Sequence, residues 1–169
     1  MRCNGPDKMP HAIEALASRL QALEDREAIR NVIARYGPLA DRGDAQALAA
    51  LWTEDGTYEV VGFATARGRT EIAALIDGPY HRDLMADGCA HLLGPVAVTV
   101  NGDSATAVGH SVVFRHHEGT FSAFRVAANC WTLRRDADGG HWRVQHRANA
   151  LLDGAEAARV LLSVPVSAA

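Results

Sequence analysis

Apolar residues recur every three or four positions through the first part of the chain, which is typical of a helix with one buried face. The recurrence predicts a long helix from about residue 11 or 13 to residue 40. A bend is expected near Gly37-Pro38, because proline removes a helical hydrogen bond and clashes with the preceding turn. The predicted buried stripe comprises Leu20, Leu23, Ile29, Ile33 and Tyr36.

Shorter elements are expected between this helix and the second half of the chain. Asp44 is the predicted N-cap of a helix over residues 45–52, since its carboxylate can accept free backbone N–H groups. Residues 53–56 have the composition of a turn, and residues 57–61 are predicted as the first strand. A glycine-rich loop, a helix from about residue 69 or 70 to 76 capped by Thr70, and a mobile loop over residues 78–88 are expected to follow.

From Ala90 onward, apolar runs separated by turn residues predict strands. Turns are expected at Asn101-Gly102-Asp103, at Glu118-Gly119 and at residues 136–140. Helices first and an antiparallel meander afterwards favour an α+β fold in which helices cover a curved sheet. Residues 1–10 are expected to lack fixed structure and residues 11–169 to form a single domain. The predicted strands cover residues 91–100, 105–116, 121–135 and 142–152, and a closing helix covers residues 154–162.

Composition narrows the class of protein. The chain has 169 residues, of which 48% are hydrophobic and 22% charged, and this suits one globular domain with a sizeable core. A formal net charge of -3 argues against nucleic-acid binding, for which a basic face is expected. No apolar run approaches the roughly 20 residues of a membrane span, and the N-terminus lacks a secretory pattern. The 3 cysteines, without metal-ligand spacing, favour a reducing, cytoplasmic location.

Three segments resemble the SnoaL-like branch of the nuclear transport factor 2-like superfamily. They are LEDREAIRNVIARYGPLADRGDAQALAALWTEDGTYE, AHLLGPVAVTVNGDSATAVGHSVVF and NCWTLRRDADGGHWRVQHRANALLDG, and the resemblance covers about residues 13–162. It implies a cone-shaped α+β barrel, in which N-terminal helices pack on a strongly curved, mostly antiparallel sheet and enclose a cavity. The superfamily includes scytalone dehydratase, hexachlorocyclohexane dehydrochlorinase, bile-acid 7α-dehydratase, ketosteroid isomerase and polyketide cyclases, besides members that only bind.

The resemblance also implies candidate catalytic residues. In the dehydratase and dehydrochlorinase members, an aspartate at the end of the first long helix orients a histidine base on a later strand, and Asp41 and His91 match those positions. Tyr36 and Arg147 match a tyrosine and an arginine of the bile-acid dehydratase. The hexachlorocyclohexane enzyme departs from this pattern in its other pocket residues, so the pair transfers better than its surroundings. Ketosteroid isomerase uses an aspartate base instead, and His91 argues against that arrangement.

An Asp–His pair in an apolar pocket has a chemistry that follows from the side chains themselves. Imidazole has an unperturbed pKa of about 6.5 and can accept a proton near neutral pH. A carboxylate bonded to one ring nitrogen fixes the tautomer and stabilises the imidazolium that forms. Such a pair suits abstraction of a proton from carbon, followed by loss of a leaving group or a double-bond shift. The alternative is structural, with Asp41 capping a chain break and His91 satisfied at a strand end.

Further residues are candidates for substrate contact, each with a structural alternative. Tyr36 could stabilise an enolate-like transition state through its hydroxyl, or it could be a core aromatic. Arg147 could bind a carboxylate or assist a leaving hydroxyl, or it could be an exposed residue paired with an acid. His110 is either a second acid in the pocket or a packed strand residue. The predicted substrate-binding set is Trp52, Tyr58, His110, Asn129, Trp131 and Asn149.

The sequence predicts neither a metal site nor a cofactor. His116-His117-Glu118 is not expected to bind metal, because neighbouring strand residues point to opposite faces, and no phosphate-binding or dinucleotide motif occurs. The leading prediction is a cofactor-independent lyase, a dehydratase or eliminase, acting on a hydrophobic cyclic small molecule. The alternatives are an isomerase or polyketide-type cyclase with the same pair, a non-catalytic small-molecule binding protein, and a partner-binding scaffold. A homo-oligomer, dimer or trimer, is expected through the outer sheet face, with no nucleic-acid or membrane partner.

Overall fold

The computed structural model describes residues 8–138 and 140–163 of the chain. Its helices pack on a curled six-stranded sheet with strand order β2-β1-β6-β5-β4-β3, in which β1 and β6 are parallel and the other neighbours antiparallel. The predicted α+β class and sheet type are therefore confirmed. The elements are α1 (Lys8–Ala34), α2 (Tyr36–Asp41), α3 (Ala45–Ala49), β1 (Trp52–Val60), β2 (Ala64–Arg67), α4 (Gly68–Asp77), α5 (Pro79–Asp87), β3 (Cys89–Asn101), β4 (Ser104–His117), β5 (Thr120–Arg135), β6 (Trp142–Leu151) and α6 (Glu156–Leu162).

The predicted first helix is two helices, which meet at Arg35. Pro38 lies in the first turn of α2, where backbone N–H groups have no helical partner, so proline is tolerated there and the break falls before it. The predicted apolar stripe is right in its second half only. Leu20 and Leu23 are 54% and 60% exposed, in line with residues 9–21 of α1, which are all exposed. Residues 1–7 of the predicted leader lie outside the described residues, and α1 already begins at Lys8.

The connection from α2 to β1 follows the prediction at its start and departs from it afterwards. Asp44 caps α3, since its Oδ1 accepts the backbone N–H of Ala47 at 3.0 Å. The turn predicted at residues 53–56 is wrong, because these residues continue β1 through a register shift against β6. At Gly56, a Cβ atom would lie 2.8 Å from Cδ1 of Trp52, so glycine permits this irregular strand to pack on the indole.

Two further segments predicted as loops have regular structure. Residues 64–67 of the predicted glycine-rich loop form β2, which pairs with the end of β1. The predicted mobile loop over residues 78–88 is mostly the helix α5, which begins at Pro79 and buries His81 and Leu84. Proline suits the first position of a helix, because its fixed φ is helical and its missing N–H needs no partner there. The predicted cap Thr70 lies inside α4, whose first turn instead uses Glu71 to accept the N–H of Arg67.

The long antiparallel strands lie within a few residues of their predicted positions. Gly102 and the Glu118-Gly119 pair turn the β3–β4 and β4–β5 hairpins with positive φ, at the positions where turns were predicted. The core lies between α1–α4 and the concave face of the sheet, whereas α6 packs on the other face, where Ala158 contacts Ala128 and Ala150. In the described part of the chain, no helix is long and apolar enough to cross a membrane. The homo-oligomer and the cytoplasmic location stay predictions.

Candidate active site

A cavity of about 270 Å³ lies between the helices and the concave face of the sheet. Its mouth carries exposed aromatic rings, with Tyr80 lying 5.9 Å from Phe63 and 6.4 Å from Phe124 between ring centroids. An apolar cavity with few polar groups is the usual form of a small-molecule site. The aliphatic part of its wall comes from α4, α5 and strands β1, β3 and β4, and comprises Val60, Ala74, Leu75, Ile76, Leu84, Leu93, Val112 and Val113.

Asp41 and His91 form a close pair at the wall of this cavity. Nδ1 of His91 lies 2.6 Å from Oδ1 of Asp41, and the backbone N–H of His91 donates to both carboxylate oxygens at 3.0 Å. Asp41 ends α2 and His91 lies near the start of β3, so the contact needs the helix to approach the strand closely. Gly37 permits this approach, because a Cβ atom there would lie 2.1 Å from the carbonyl oxygen of His91.

The surroundings of His91 favour a neutral ring with a free lone pair. Burial lowers the pKa of His91 below its usual value, and the positive charge of Arg147 and the ring of His81 lower it further. The carboxylate of Asp41 acts in the opposite direction without overcoming burial. Because Nδ1 faces a carboxylate, it carries the proton and donates, which leaves Nε2 as the basic atom. His91 lines the cavity, so a base is available there at neutral pH.

A second histidine lies beside the first. His81 of α5 lines the cavity, and its ring centroid is 5.4 Å from that of His91. Its Nε2 donates to the carbonyl oxygen of Ala40 at 2.9 Å, and the residue is buried. His110, a member of the predicted substrate-binding set, does not line the cavity, because it is exposed and lies on the face of β4 opposite to Ser111. The sequence signal for His81 was its position two residues after a helix-starting proline.

Arg147 of β6 is a cation enclosed by aromatic rings. Its guanidinium carbon lies 4.2 Å from the ring centroid of Tyr36, 4.6 Å from that of Tyr58 and 4.3 Å from that of Trp131. Each ring presents electron density to the positive charge, and such contacts gain strength where water is excluded. Arg147 is 2% exposed and lines the cavity. Burial raises the pKa of Tyr36, which keeps its hydroxyl protonated and able to donate.

An amide at the centre of a hydrogen-bond network holds Arg147 in place. Oδ1 of Asn129 accepts from Nε and Nη2 of Arg147 at 3.1 and 2.7 Å, and from Nδ2 of Asn149 at 2.9 Å. Nδ2 of Asn129 donates to Oγ of Ser111 at 2.9 Å, so the network joins β4, β5 and β6. At its far end, Arg125 donates to Oδ1 of Asn149 from Nε at 3.2 Å and from Nη2 at 2.8 Å.

The family of the chain follows from comparison with known domains. The SnoaL-like domain family matches residues 21–148 of this chain. The chain belongs to the SnoaL-like family. Members of this family bind small-molecule substrates, and membership supports an isomerase or cyclase type of function or a binding function. The predicted resemblance is therefore confirmed.

Solved structures agree with this SnoaL-like assignment. An NTF2-like protein with a cystatin-like fold from Novosphingobium aromaticivorans is 63% identical, covers 95% of this chain and 100% of its own, and superposes with a TM-score of 0.86. Rv3472 from Mycobacterium tuberculosis, described as a protein of unknown function, is 25% identical over 88% of this chain and 76% of its own, with a TM-score of 0.64. ActVI-ORFA from Streptomyces coelicolor is 22% identical over 77% and 98%, with a TM-score of 0.66, and shares the fold. No curated protein matches the chain.

The predicted site residues of this SnoaL-like protein separate into two groups. Tyr36, Tyr58, His91, Arg147 and Asn149 line the cavity, and Asp41 lies behind His91. The prediction that Trp52, Asn129 and Trp131 contact the cavity contents is wrong, because all three are at most 1% exposed and lie behind its wall. They act one step away from the cavity, since Trp131 and Asn129 contact Arg147 and Trp52 packs on Tyr36 at 6.2 Å between ring centroids.

One cluster in the described residues has the composition of a metal site. Donor atoms of Asp41, Cys89 and His91 lie within 4.8 Å of one another. Metal binding needs a thiolate and a ring nitrogen without a proton. Burial and the nearby carboxylate of Asp41 raise the pKa of Cys89 to about 11, so the thiol stays protonated at neutral pH. The thiol of Cys89 and the ring of His91 each already hydrogen-bond to the carboxylate of Asp41, and the cluster fits a proton-transfer pair better than a metal ligand set.

Proposed function

We propose that this SnoaL-like protein is a cofactor-independent lyase that removes water or a similar leaving group from a hydrophobic cyclic small molecule. The observation that carries the proposal is the 2.6 Å contact between Asp41 and His91 at the cavity wall. The contact leaves Nε2 of His91 as a base beside an apolar space. A general base held in this way contributes roughly 10²- to 10⁴-fold to the rate of proton transfer.

Tyr36 and Arg147 supply the second requirement, which is stabilisation of the charge that develops on oxygen. Removal of a proton from the carbon next to a carbonyl moves negative charge onto the carbonyl oxygen. The protonated hydroxyl of Tyr36 would donate to that oxygen, and the guanidinium of Arg147, 4.2 Å from the Tyr36 ring, would favour the negative charge. Neither group needs to move or change its protonation state, so little reorganisation accompanies the step.

The proposed elimination consists of two proton transfers at Nε2 of His91 and the cleavage of one C–O bond. Nε2 of His91 takes the proton from the carbon next to the carbonyl, and the C–H electron pair forms the enolate. The enolate pair then forms the new C=C bond, while the C–O bond to the leaving hydroxyl breaks. The proton on Nε2 passes to the departing hydroxyl, so water leaves and His91 returns to its neutral state. Asp41 stays ionised throughout and stabilises the imidazolium between the two transfers.

An isomerase or cyclase is the second candidate, and membership of the SnoaL-like family favours it. The first proton transfer would be the same. The difference is the fate of the enolate, which would accept a proton at another carbon or attack a second carbonyl instead of expelling a hydroxyl. A non-catalytic binding protein would use the same cavity without proton transfer, and coupling between Asp41 and His91 separates it from both enzymes.

The test is an NMR titration of the His91 ring in the wild type and in Asp41→Asn. We expect the wild-type pKa of His91 to lie below about 6.5 because of burial, and to fall further in the variant because the stabilising carboxylate is lost. Asp44→Asn is the matched control, since Asp44 contacts Arg42 and Ala47 but not His91. The pKa of His91 should not respond to it.

Turnover is then measured with β-hydroxylated bicyclic ketones, by the absorbance of the conjugated enone that forms on loss of water. We expect activity in the wild type and in Asp44→Asn, and its loss in His91→Gln and Asp41→Asn. An unresponsive His91 pKa in Asp41→Asn would exclude the proposed pair, and the protein would then be assigned a binding role. A responsive pKa together with a proton shift or ring closure, instead of water loss, would select the isomerase or cyclase.

A further inference from the structure

Two arginines face the cavity, whereas Asp41 lies behind His91 and is hydrogen-bonded to that ring. Arg125 and Arg147 both line the cavity, and among the described residues no aspartate or glutamate does. No carboxylate in the described part of the chain lies within 4.0 Å of either guanidinium. Since charges withdrawn from water are stabilised by opposite charges or strong dipoles, two unpaired cations facing one cavity suggest that its natural occupant is anionic.

The two arginines differ in how their charge is already stabilised. Arg147 has three rings and the amide oxygen of Asn129, although its Nη1 is buried without a hydrogen-bond partner. Among the described residues, the amide oxygen of Asn149 is the only hydrogen-bond acceptor for the Arg125 guanidinium. A neutral acceptor balances less of a guanidinium's charge than a carboxylate does. Arg125 therefore has more to gain from a bound anion.

Arg125 also has the position that recognition requires. It follows Phe124, one of the exposed rings at the mouth, and is itself partly exposed, so a ligand entering the cavity can reach it. Another arginine near the mouth, Arg115, lies over the Phe124 ring at 5.5 Å but forms an ion pair with Asp87. One of these two neighbouring cations is thus already neutralised, and the other is available.

We propose that the substrate carries a carboxylate, and that Arg125 binds this group at the cavity mouth while the hydrophobic ring lies inside. This inference deepens the proposed function and rests on the same cavity. Paired guanidinium and carboxylate groups form two directional hydrogen bonds, so Arg125 would fix the orientation of the ring relative to His91. Arg125 is in this sense a specificity-determining residue, separate from the proton-transfer pair.

The experiment compares the binding of 2-naphthoate and 2-naphthamide by isothermal titration calorimetry at low salt. The two probes have the same ring system and nearly the same shape but differ in charge. We expect the wild type to bind the carboxylate at least about tenfold more tightly, as one charge-assisted hydrogen-bonded pair would give. Arg125→Gln should abolish the preference, and Arg125→Lys should retain part of it, because the charge remains and the fork is lost.

Arg134→Gln is the matched control. Arg134 lies on the same strand and is exposed, and its substitution changes the net charge by the same amount as Arg125→Gln. It should leave the preference intact. Equal wild-type affinities for the two probes would overturn the proposal, and so would a preference that survives in Arg125→Gln. The pKa of His91 is measured in the same variants and should be little changed. If the preference for 2-naphthoate is absent while the His91 pKa still responds to Asp41→Asn, the carboxylate-binding proposal is refuted and the proposed reaction is kept. If the preference is present while the His91 pKa does not respond, the proposed reaction is refuted and the carboxylate site is kept.

Discussion

Two carboxylates on the N-terminal helices reach toward the sheet, and their surroundings differ. Asp25 of α1 accepts hydrogen bonds from Nη2 of Arg135 at 2.8 Å, from Nε1 of Trp142 at 3.1 Å and from Nε2 of Gln21 at 3.2 Å. Asp41 of α2 accepts chiefly from the backbone and ring of His91. Both residues join a helix to a strand, but only Asp41 does so beside the cavity.

The difference lies in the partner and not in the carboxylate. Arg135 keeps its charge at every accessible pH, so its ion pair with Asp25 stabilises the fold wherever the carboxylate is ionised. Burial raises the pKa of the Asp25 carboxyl, but the hydrogen bonds from Arg135, Trp142 and Gln21 together bring it below its usual value. His91 can gain and lose a proton, so its pair with Asp41 can perform chemistry. A similar helix-to-strand contact therefore gives stability at one site and reactivity at the other.

The largest expected effect comes from comparing two variants. Asp25→Asn should lose stability and keep activity, whereas Asp41→Asn should keep most of its stability and lose activity. The amide introduced by Asp25→Asn would turn an NH₂ group toward one of three donors in a site that is 8% exposed, and we expect a loss of about 2 kcal/mol in the free energy of unfolding. Asp41→Asn can keep an oxygen toward Nδ1 of His91, and should lose less than about 1 kcal/mol. Urea unfolding measures both values.

Activity should respond in the opposite order. Asp41→Asn should lose its turnover of β-hydroxylated ketones, whereas Asp25→Asn should keep it at temperatures where the variant remains folded. Similar stability losses in the two variants would remove the distinction between a structural and a reactive carboxylate.

The second expected effect is that Asp25 and His91 change the stability of the fold in different pH ranges. The folded pKa of Asp25 is lowered, so its contribution to stability is present above the unfolded pKa of about 3.9 and is lost as pH falls below it. The folded pKa of His91 is also lowered. The unfolded chain therefore binds the proton first, and stability falls as pH decreases from about 6.5 toward the folded pKa.

Urea unfolding between pH 8 and pH 3 would resolve the two windows. We expect His91→Gln to flatten the upper one and Asp25→Asn the lower one, each without affecting the other. If His91→Gln changed the pH dependence of unfolding in the lower range, or Asp25→Asn changed it in the upper range, the assignment of each range to its group would be contradicted.

The sequence was most informative about the pair at the cavity. Asp41 and His91 could be identified because the end of a helix and the start of a strand are legible from pattern, and because the family resemblance aligned both positions. Asp25 could not be identified as structural, since its partners lie at residues 135 and 142, more than a hundred positions away. Contacts across such distances depend on sheet order and register, which local pattern does not encode.

Errors elsewhere have the same physical origin. Residues 53–56 look like a turn because an irregular strand and a turn use the same polar and glycine residues. His110 was placed in the predicted substrate-binding set because it interrupts an apolar strand. Facing along a strand alternates, however, and each bulge changes which residues point inward. His81 was not predicted as a cavity residue, because Gly78-Pro79 was interpreted as the start of a loop, whereas Pro79 begins a helix.

The smallest effect concerns the weakest donor to Asp41, compared with an ordinary donor to Asp25. Sγ of Cys89 lies 3.7 Å from Oδ1 of Asp41, and the thiol, with its pKa raised to about 11 by burial and the nearby carboxylate, stays protonated and can donate. Its removal in Cys89→Ala should change the free energy of unfolding by less than about 0.5 kcal/mol, because thiols are weak donors. Trp142→Phe, which removes a 3.1 Å donor from Asp25, should cost about 1 kcal/mol or more.

The more telling readout of Cys89→Ala is the sign of the change at His91. Without the thiol donor, Asp41 retains more negative charge for the imidazolium, so the pKa of His91 should rise slightly. Asp41→Asn shifts that pKa downward, and Cys89→Ser, which keeps an O–H donor, should not raise it. The NMR titration of the ring measures all three variants. An upward shift of the His91 pKa in Cys89→Ala alone would establish that the negative charge available on Asp41 sets the pKa of the base. A downward shift would mean that Cys89 acts on His91 through packing and not through Asp41.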